Sequence, residues 1–335
     1  MQNMKQWITD VINNDRRVAI PIMTHPGIEM IGKTVQDAVT DGKIHAEAIV
    51  ALNARYPSAA STVIMDLTVE AEAFGCAINF TKNEVPTVRH RLVSNYDEVN
   101  QLSVPSLSTG RVSQFLLANQ STAAAISDKP VLGGCIGPFS LAARLFDMTE
   151  IMMAIYIEPD TVNLLLEKCT LFLIDYGRAL KATGINGMII AEPAAGLLSN
   201  NDCRQYSSLY VKQIVQELQD DYFSVFLHNC GNKGQCTQAM LYTGANGYHF
   251  GNAMNMVDAL EACPQDVLVM GNIDPVSVLN MSTPEQVKQS VKILLEQTVG
   301  YRNFVLSSGC DVPPHTSHEN VEAFYEALAA FNKKE

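Results

Sequence analysis

His228 and Cys230 stand on either side of one residue in the run His228-Asn229-Cys230, and Cys310 follows a glycine in the distant run Ser308-Gly309-Cys310-Asp311. An imidazole and a thiolate so spaced can turn toward a common point, and soft sulfur with nitrogen suits zinc better than magnesium or calcium. Two protein ligands hold zinc weakly, so Cys310 is the expected third. Gly231 is expected to permit the tight turn after Cys230, and Pro313 and Pro314 to stiffen the loop after Cys310. Three protein ligands with one open position is the pattern of a catalytic zinc, whereas a structural zinc is closed by four. The plainer alternative is a chance H-x-C pair and thiols that merely pack, as most of the eight cysteines here should.

Other residues carry weaker signals. Glu192, in MIIAEPAAG, reads as a fourth metal ligand, a group behind the ligands or a general base, with a helix-capping carboxylate as the alternative. Asp66 is a candidate for orienting substrate. Glu192 and Asp66 are therefore the catalytic candidates. Asn252, Asn272 and Asp274 lie in Gly- and Asn-containing turns where a ligand can approach the backbone, and are the expected cofactor-binding positions. His25 and His249 read as packing or polar-network residues. Cys236 is structural, because a C-x5-C pair with Cys230 is not zinc-ribbon spacing.

These residues need elements that bring them together. Short apolar runs, which read as buried strands, alternate with longer windows of helical period, the signature of βαβ units and a parallel sheet. The strand candidates are Arg17–Met23, Ser61–Asp66, Pro130–Ile136, Gly187–Ala191, Phe223–Leu227, Gly247–Phe250, Val267–Met270 and Phe304–Leu306. Helical windows between them include Val35–Tyr56, Ser108–Ser127, Thr161–Thr183, Cys203–Gln219, Pro284–Gln297 and His318–Asn332. Eight strands predict a (β/α)8 TIM barrel of the α/β class, one domain over residues 1–335 with an N-terminal helical extension. Nearly every strand candidate ends in a polar or chemically capable residue, and in a barrel those ends converge on one mouth. Strands must end in polar loops anyway. That accounts for Asn and Gly better than for a His, two Cys, a Glu and two Asp.

Composition sets outer bounds. The 335 residues are 47% hydrophobic and 17% charged, enough for a large core. A formal net charge of −12 excludes nucleic acid as the expected partner, because phosphate binding needs clustered Lys and Arg. No run reaches the roughly 20 apolar residues of a membrane span, and the opening MQNMKQWITD has no apolar signal-peptide core. The expectation is a cytoplasmic protein with no membrane partner.

The segments MDLTVEAEAFG (65–75), GPFSLAARL (137–145), AEPAAG (191–196), HNCGN (228–232), GNIDP (271–275) and GCDVPPHTSHEN (309–320) resemble the uroporphyrinogen decarboxylase superfamily, over about residues 17 to 330. Within it they are similar to the methylcobamide:coenzyme M methyltransferases, whose H-x-C pair and distant Cys they share. The resemblance implies Zn2+ on His228, Cys230 and Cys310, a fourth site for the thiol of coenzyme M, and a methylcobamide co-substrate carried on a corrinoid-binding protein. Tetrahydrofolate, homocysteine or another small thiol stays open as acceptor. The decarboxylase branch is the rival within the superfamily. Its arginine-rich stretch after the first strand is replaced here by MTHPGIEMIGK (23–33), although Asp66 matches its catalytic aspartate. Two other classes remain: a barrel that binds a corrinoid protein without turnover, and a purely structural zinc closed by Glu192.

Overall fold

The computed structural model describes residues 2–63 and 66–333. Nine strands are formed among them: β1 (Ser61–Thr62), β2 (Ile78–Asn79), β3 (Thr87–Val88), β4 (Val131–Ile136), β5 (Gly187–Ala191), β6 (Ser224–Asn229), β7 (Gly247–Phe250), β8 (Leu268–Ile273) and β9 (Phe304–Ser308). β2 and β3 make a small antiparallel hairpin. The other seven form one parallel sheet in the order β1-β4-β5-β6-β7-β8-β9. Each neighbour in that order is also the next in the chain once the hairpin is set aside, as in a singly wound TIM barrel.

The first expected strand, Arg17–Met23, closes the sheet without being a regular strand. It makes one isolated bridge, Ala19 to Leu306. Ile20 N–H donates to Leu306 O at 2.9 Å, and on the other side Ala59 N–H donates to Ala19 O at 2.9 Å. The segment thus touches both sheet edges. Pro21 explains the irregularity, since it has no N–H to give a ladder. The second expected strand, Ser61–Asp66, is regular only over Ser61–Thr62 and then runs onto residues 64 and 65, which lie outside the described residues together with 1, 334 and 335.

Alternate strand residues face the barrel axis. Leu132, Ile189, Phe226, Leu268, Met270 and Val305 form one buried cluster there with Ile20 and Ile22. Gly247 sits beside Phe226 in register, and a Cβ on it would fall 2.7 Å from that ring, so the glycine makes room for the phenyl group. The N-terminal helix Met4–Asn13, capped by Asn3, adds Met4 and Ile8 to the same cluster. It therefore plugs the end of the barrel opposite the mouth. Each such buried side chain contributes about 1.5–3 kcal/mol. One step further along the strands, the inward residues turn polar: His228 on β6, His249 on β7, Asn272 on β8 and Ser307 on β9.

Most helical windows form as read, but two are interrupted. Val35–Tyr56 breaks at Asp41, which ends Val35–Thr40 and caps Gly42–Arg55 by accepting from Lys43 N–H. The window from Cys203 starts earlier, at Asn200, and winds wide over Arg204–Ser208 before the helix Leu209–Leu218. No helix among the described residues is long and apolar enough to cross a membrane.

Candidate metal centre

Residues i and i+2 of a strand point the same way. His228 faces the barrel axis near the end of β6, so Cys230, just past that end, is aimed at the same space. The chain then turns: Asn229 Oδ1 accepts from the backbone N–H of Gly231 (3.0 Å) and Asn232 (3.1 Å). Gly231 does not adopt a left-handed conformation. Its need is space, because a Cβ there would lie 2.8 Å from Pro193 O. Gly251, after β7, packs still closer, with its would-be Cβ 2.6 Å from Cys230 Cα.

Cys310 arrives from the loop after β9. Its Sγ lies 3.7 Å from His228 Nε2, and the ligand atoms of His228, Cys230 and Cys310 all lie within 4.8 Å of one another. Zn–S bonds of about 2.3 Å and Zn–N bonds of about 2.0–2.1 Å at a tetrahedral angle require an S···N edge of about 3.6 Å. The donor set and its spacing fit zinc. His228 is buried, whereas Cys230 and Cys310 are half-buried. Cys310 donates its S–H to Cys230, which holds the Cys230 thiol down to about 7 against the effect of burial. The same bond, with burial, pushes the Cys310 thiol up.

Behind the metal side stands a buried chain of polar groups. His228 Nδ1 meets His249 Nδ1 at 2.7 Å, His249 Nε2 meets Ser307 Oγ at 2.8 Å, and Ser307 Oγ donates to Ile20 O at 2.8 Å. Burial, with the neighbouring His228, holds His249 well below the usual histidine range, so its ring is neutral. His228 and His249 are directly paired in the parallel register of β6 and β7. The sequence marked His249 as a packing or polar-network residue, and the tertiary pairing makes it the partner of His228 in such a network.

Glu192 stands at the end of β5 and outside the three-residue cluster. Its carboxylate accepts from Phe139 N–H (2.9 Å), Ser140 N–H (2.9 Å), Ser140 Oγ–H (2.6 Å) and Ser207 Oγ–H (3.2 Å). Burial raises its pKa, and these donors oppose the rise. Asp66 is buried and bonded to the Arg111 guanidinium, to Thr68 Oγ–H (2.6 Å) and to Thr68 N–H (2.9 Å). Arg111 also holds Glu72 at 2.6 Å. Nothing in the helical run beginning at Val112 marked Arg111 as the partner of Asp66. Asn252 Nδ2 donates to Asp274 Oδ2 at 2.8 Å on the rim, and Asn272 Nδ2 ties down Gly251 O (2.9 Å) and Met254 O (2.6 Å). His25 pairs with Asp311 at 3.3 Å beside Cys310. Burial works most strongly against its protonation, but the charge and hydrogen bond of Asp311 together with the charges of Glu29 and Asp66 outweigh it and hold the His25 pKa above the usual value.

Comparison with known proteins follows the same lines. Residues 16–331 match the family model described as uroporphyrinogen decarboxylase (URO-D). The methylcobamide:CoM methyltransferase MtbA of Methanosarcina acetivorans is 30% identical over 268 residues, covering 79% of this chain and 77% of the relative. A uroporphyrinogen decarboxylase of Pseudoalteromonas translucida is 26% identical over 294 residues, covering 84% and 81%. Among solved structures, a methyltransferase from Methanosarcina mazei shares the fold with a TM-score of 0.88 at 23% identity, over 99% of both chains.

Proposed function

The chain belongs to the uroporphyrinogen decarboxylase (URO-D) family, and from that premise we propose that it is a zinc-dependent methyltransferase moving a methyl group from a methylated corrinoid to a thiol. The observation that carries this reading is the meeting of His228, Cys230 and Cys310 at ligand distance, with both cysteines half-buried at the strand ends. Zinc held there by His228, Cys230 and Cys310 would supply a Lewis acid that keeps the acceptor sulfur as thiolate at neutral pH.

The acceptor sulfur forms a bond to the methyl carbon while the cobalt–carbon bond breaks. Both electrons of that bond stay on cobalt, taking Co(III) to Co(I), and the thiol proton goes to solvent. The hard chemistry of the leaving group belongs to the corrinoid. This chain's residues orient and exclude. His249 and Ser307 fix the ring of His228, and the apolar layer beneath shuts water out from below. Asp66 and Glu192 act on the shape of the mouth, through Arg111 and Ser140. Asn252 and Asp274 on the rim are assigned to contact with the corrinoid and its carrier protein.

Within the family, a decarboxylase reading has less support, because the Asp66 carboxylate is already bonded to Arg111 and Thr68. The deciding assay is demethylation of free methylcobalamin by a panel of small thiols, followed through the spectrum of Co(I). The wild-type protein should carry about one zinc and demethylate, and Cys230→Ala should lose both. Bound zinc with no thiol methylated would end the proposal.

A further inference from the structure

Arg144 is half-buried on the helix Pro138–Phe146, and its guanidinium makes no hydrogen bond or ion pair with any described residue. Charged groups held out of water normally have partners. The acids within its electrostatic reach are Asp66 and Glu70. Asp66 is bonded to Arg111, and burial holds the Glu70 carboxyl up to about 8, so Glu70 is largely neutral at pH 7.

Arg144 instead faces a cavity of about 240 Å³ whose wall also carries Arg89, His90 and Arg91 against a single acid, Asp147. Asp147 caps the next helix, its Oδ1 accepting from Thr149 N–H at 2.8 Å and Glu150 N–H at 3.3 Å. Glu98 lies within electrostatic reach of Arg91, but its carboxylate is bonded to Ser94. In a chain with 35 acidic and 23 basic residues, this density of cations runs against composition. The backbone that carries the rim arginines is held in place: Arg89 N–H donates to Ala77 O (2.9 Å), while Leu92 N–H (2.7 Å) and Val93 N–H (3.1 Å) both donate to Leu145 O, the residue after Arg144. The far wall includes Pro193, whose carbonyl abuts Gly231 beside Cys230, so the cavity adjoins the loop that carries a metal ligand.

We propose that this cavity is an oxyanion site, with Arg144 as the inner fork and Arg89 and Arg91 at the rim, that takes the acidic head group of a small molecule. A guanidinium fork matches the paired oxygens of a sulfonate, phosphate or carboxylate. The volume admits a head group and excludes a whole tetrapyrrole. That the rest of the molecule points to the metal centre rests on the methyl-transfer reading; binding of the anion does not.

The test uses inorganic sulfate and the protein as purified, so it succeeds or fails whether or not any thiol is methylated. Thermal unfolding is followed across a sulfate series at constant ionic strength, with metal content determined for every variant. The wild-type protein should gain a saturable rise in Tm, of about 2 °C at ten times the half-saturating concentration, above the linear drift that sulfate gives any protein. Arg144→Gln should keep only the drift, and Arg144→Lys should retain part of the saturable rise. The exposed pair Arg89→Gln/Arg91→Gln should shift half-saturation several-fold upward, and it settles the matter if Arg144→Gln fails to fold. Identical sulfate curves for the wild type and the double variant, or no saturable component in the wild type, would overturn the proposal.

Discussion

His228 Nδ1 and His249 Nδ1 lie 2.7 Å apart, and that contact fixes the protons of both rings. The Ser307 hydroxyl gives its hydrogen to Ile20 O, so its oxygen accepts from His249 Nε2–H. His249 Nδ1 is then the bare nitrogen and accepts from His228 Nδ1–H. The lone pair of His228 Nε2 is left pointing at the sulfur of Cys310. A backbone carbonyl deep in the barrel thus sets the tautomer of a candidate metal ligand through three hydrogen bonds.

Replacing His249 with Phe should therefore weaken metal binding about 10- to 100-fold without removing a ligand. Competition with a chromogenic chelator measures it. Unchanged affinity in a folded His249→Phe protein would show that the ring of His228 is held by something else.

The two thiols should separate by reactivity in metal-free protein. Cys230 is held at about 7, so its thiolate fraction, and its alkylation by iodoacetamide, should rise with pH through about 7, while Cys310 stays protonated to much higher pH. Peptide mapping after a short alkylation distinguishes them, and added zinc should protect both. Cys310 reacting first would contradict the direction of their shared hydrogen bond.

Gly251→Ala puts a methyl carbon 2.6 Å from Cys230 Cα, where neither backbone can give way cheaply. Zinc content should fall well below one per chain while far-ultraviolet circular dichroism stays close to the wild type. Full zinc occupancy would mean that the loop after β6 moves aside.

Arg111 is the keystone of a buried group that includes Asp66, Glu72 and Thr68. Arg111→Ala leaves the Asp66 carboxylate in the interior without its cation and should cost about 3–5 kcal/mol in denaturant unfolding. A loss below about 1 kcal/mol would show that water reaches Asp66.

Burial raises the folded-state pKa of Glu70 from an ordinary carboxyl value to about 8. Between those two values the unfolded chain gives up its proton and the folded one keeps it, so stability falls as pH rises from about 4.5 to about 8. Glu70→Gln removes that penalty. It should raise Tm at pH 8 and change it little at pH 5; the opposite order would mean Glu70 is ionised in the folded protein.

The sequence by itself determined the barrel class, since strands buried on both faces must be continuously apolar and helices must show their period. It also supplied the donor types of the candidate metal centre, because H-x-C at a strand end puts two donors on one side whatever the rest does. Contacts across the barrel were decided only by tertiary structure. Cys310 is 80 residues from Cys230, and no local pattern says which strand end faces which. His249 gained its place from the β6–β7 register, and Arg111 and Arg144 from helices that crowd the mouth. Pro21 turned the first strand into a looser closing segment. Local chemistry fixes what a residue can do, but burial and partners, which set its proton, its charge and its reach, depend on segments far away in the chain.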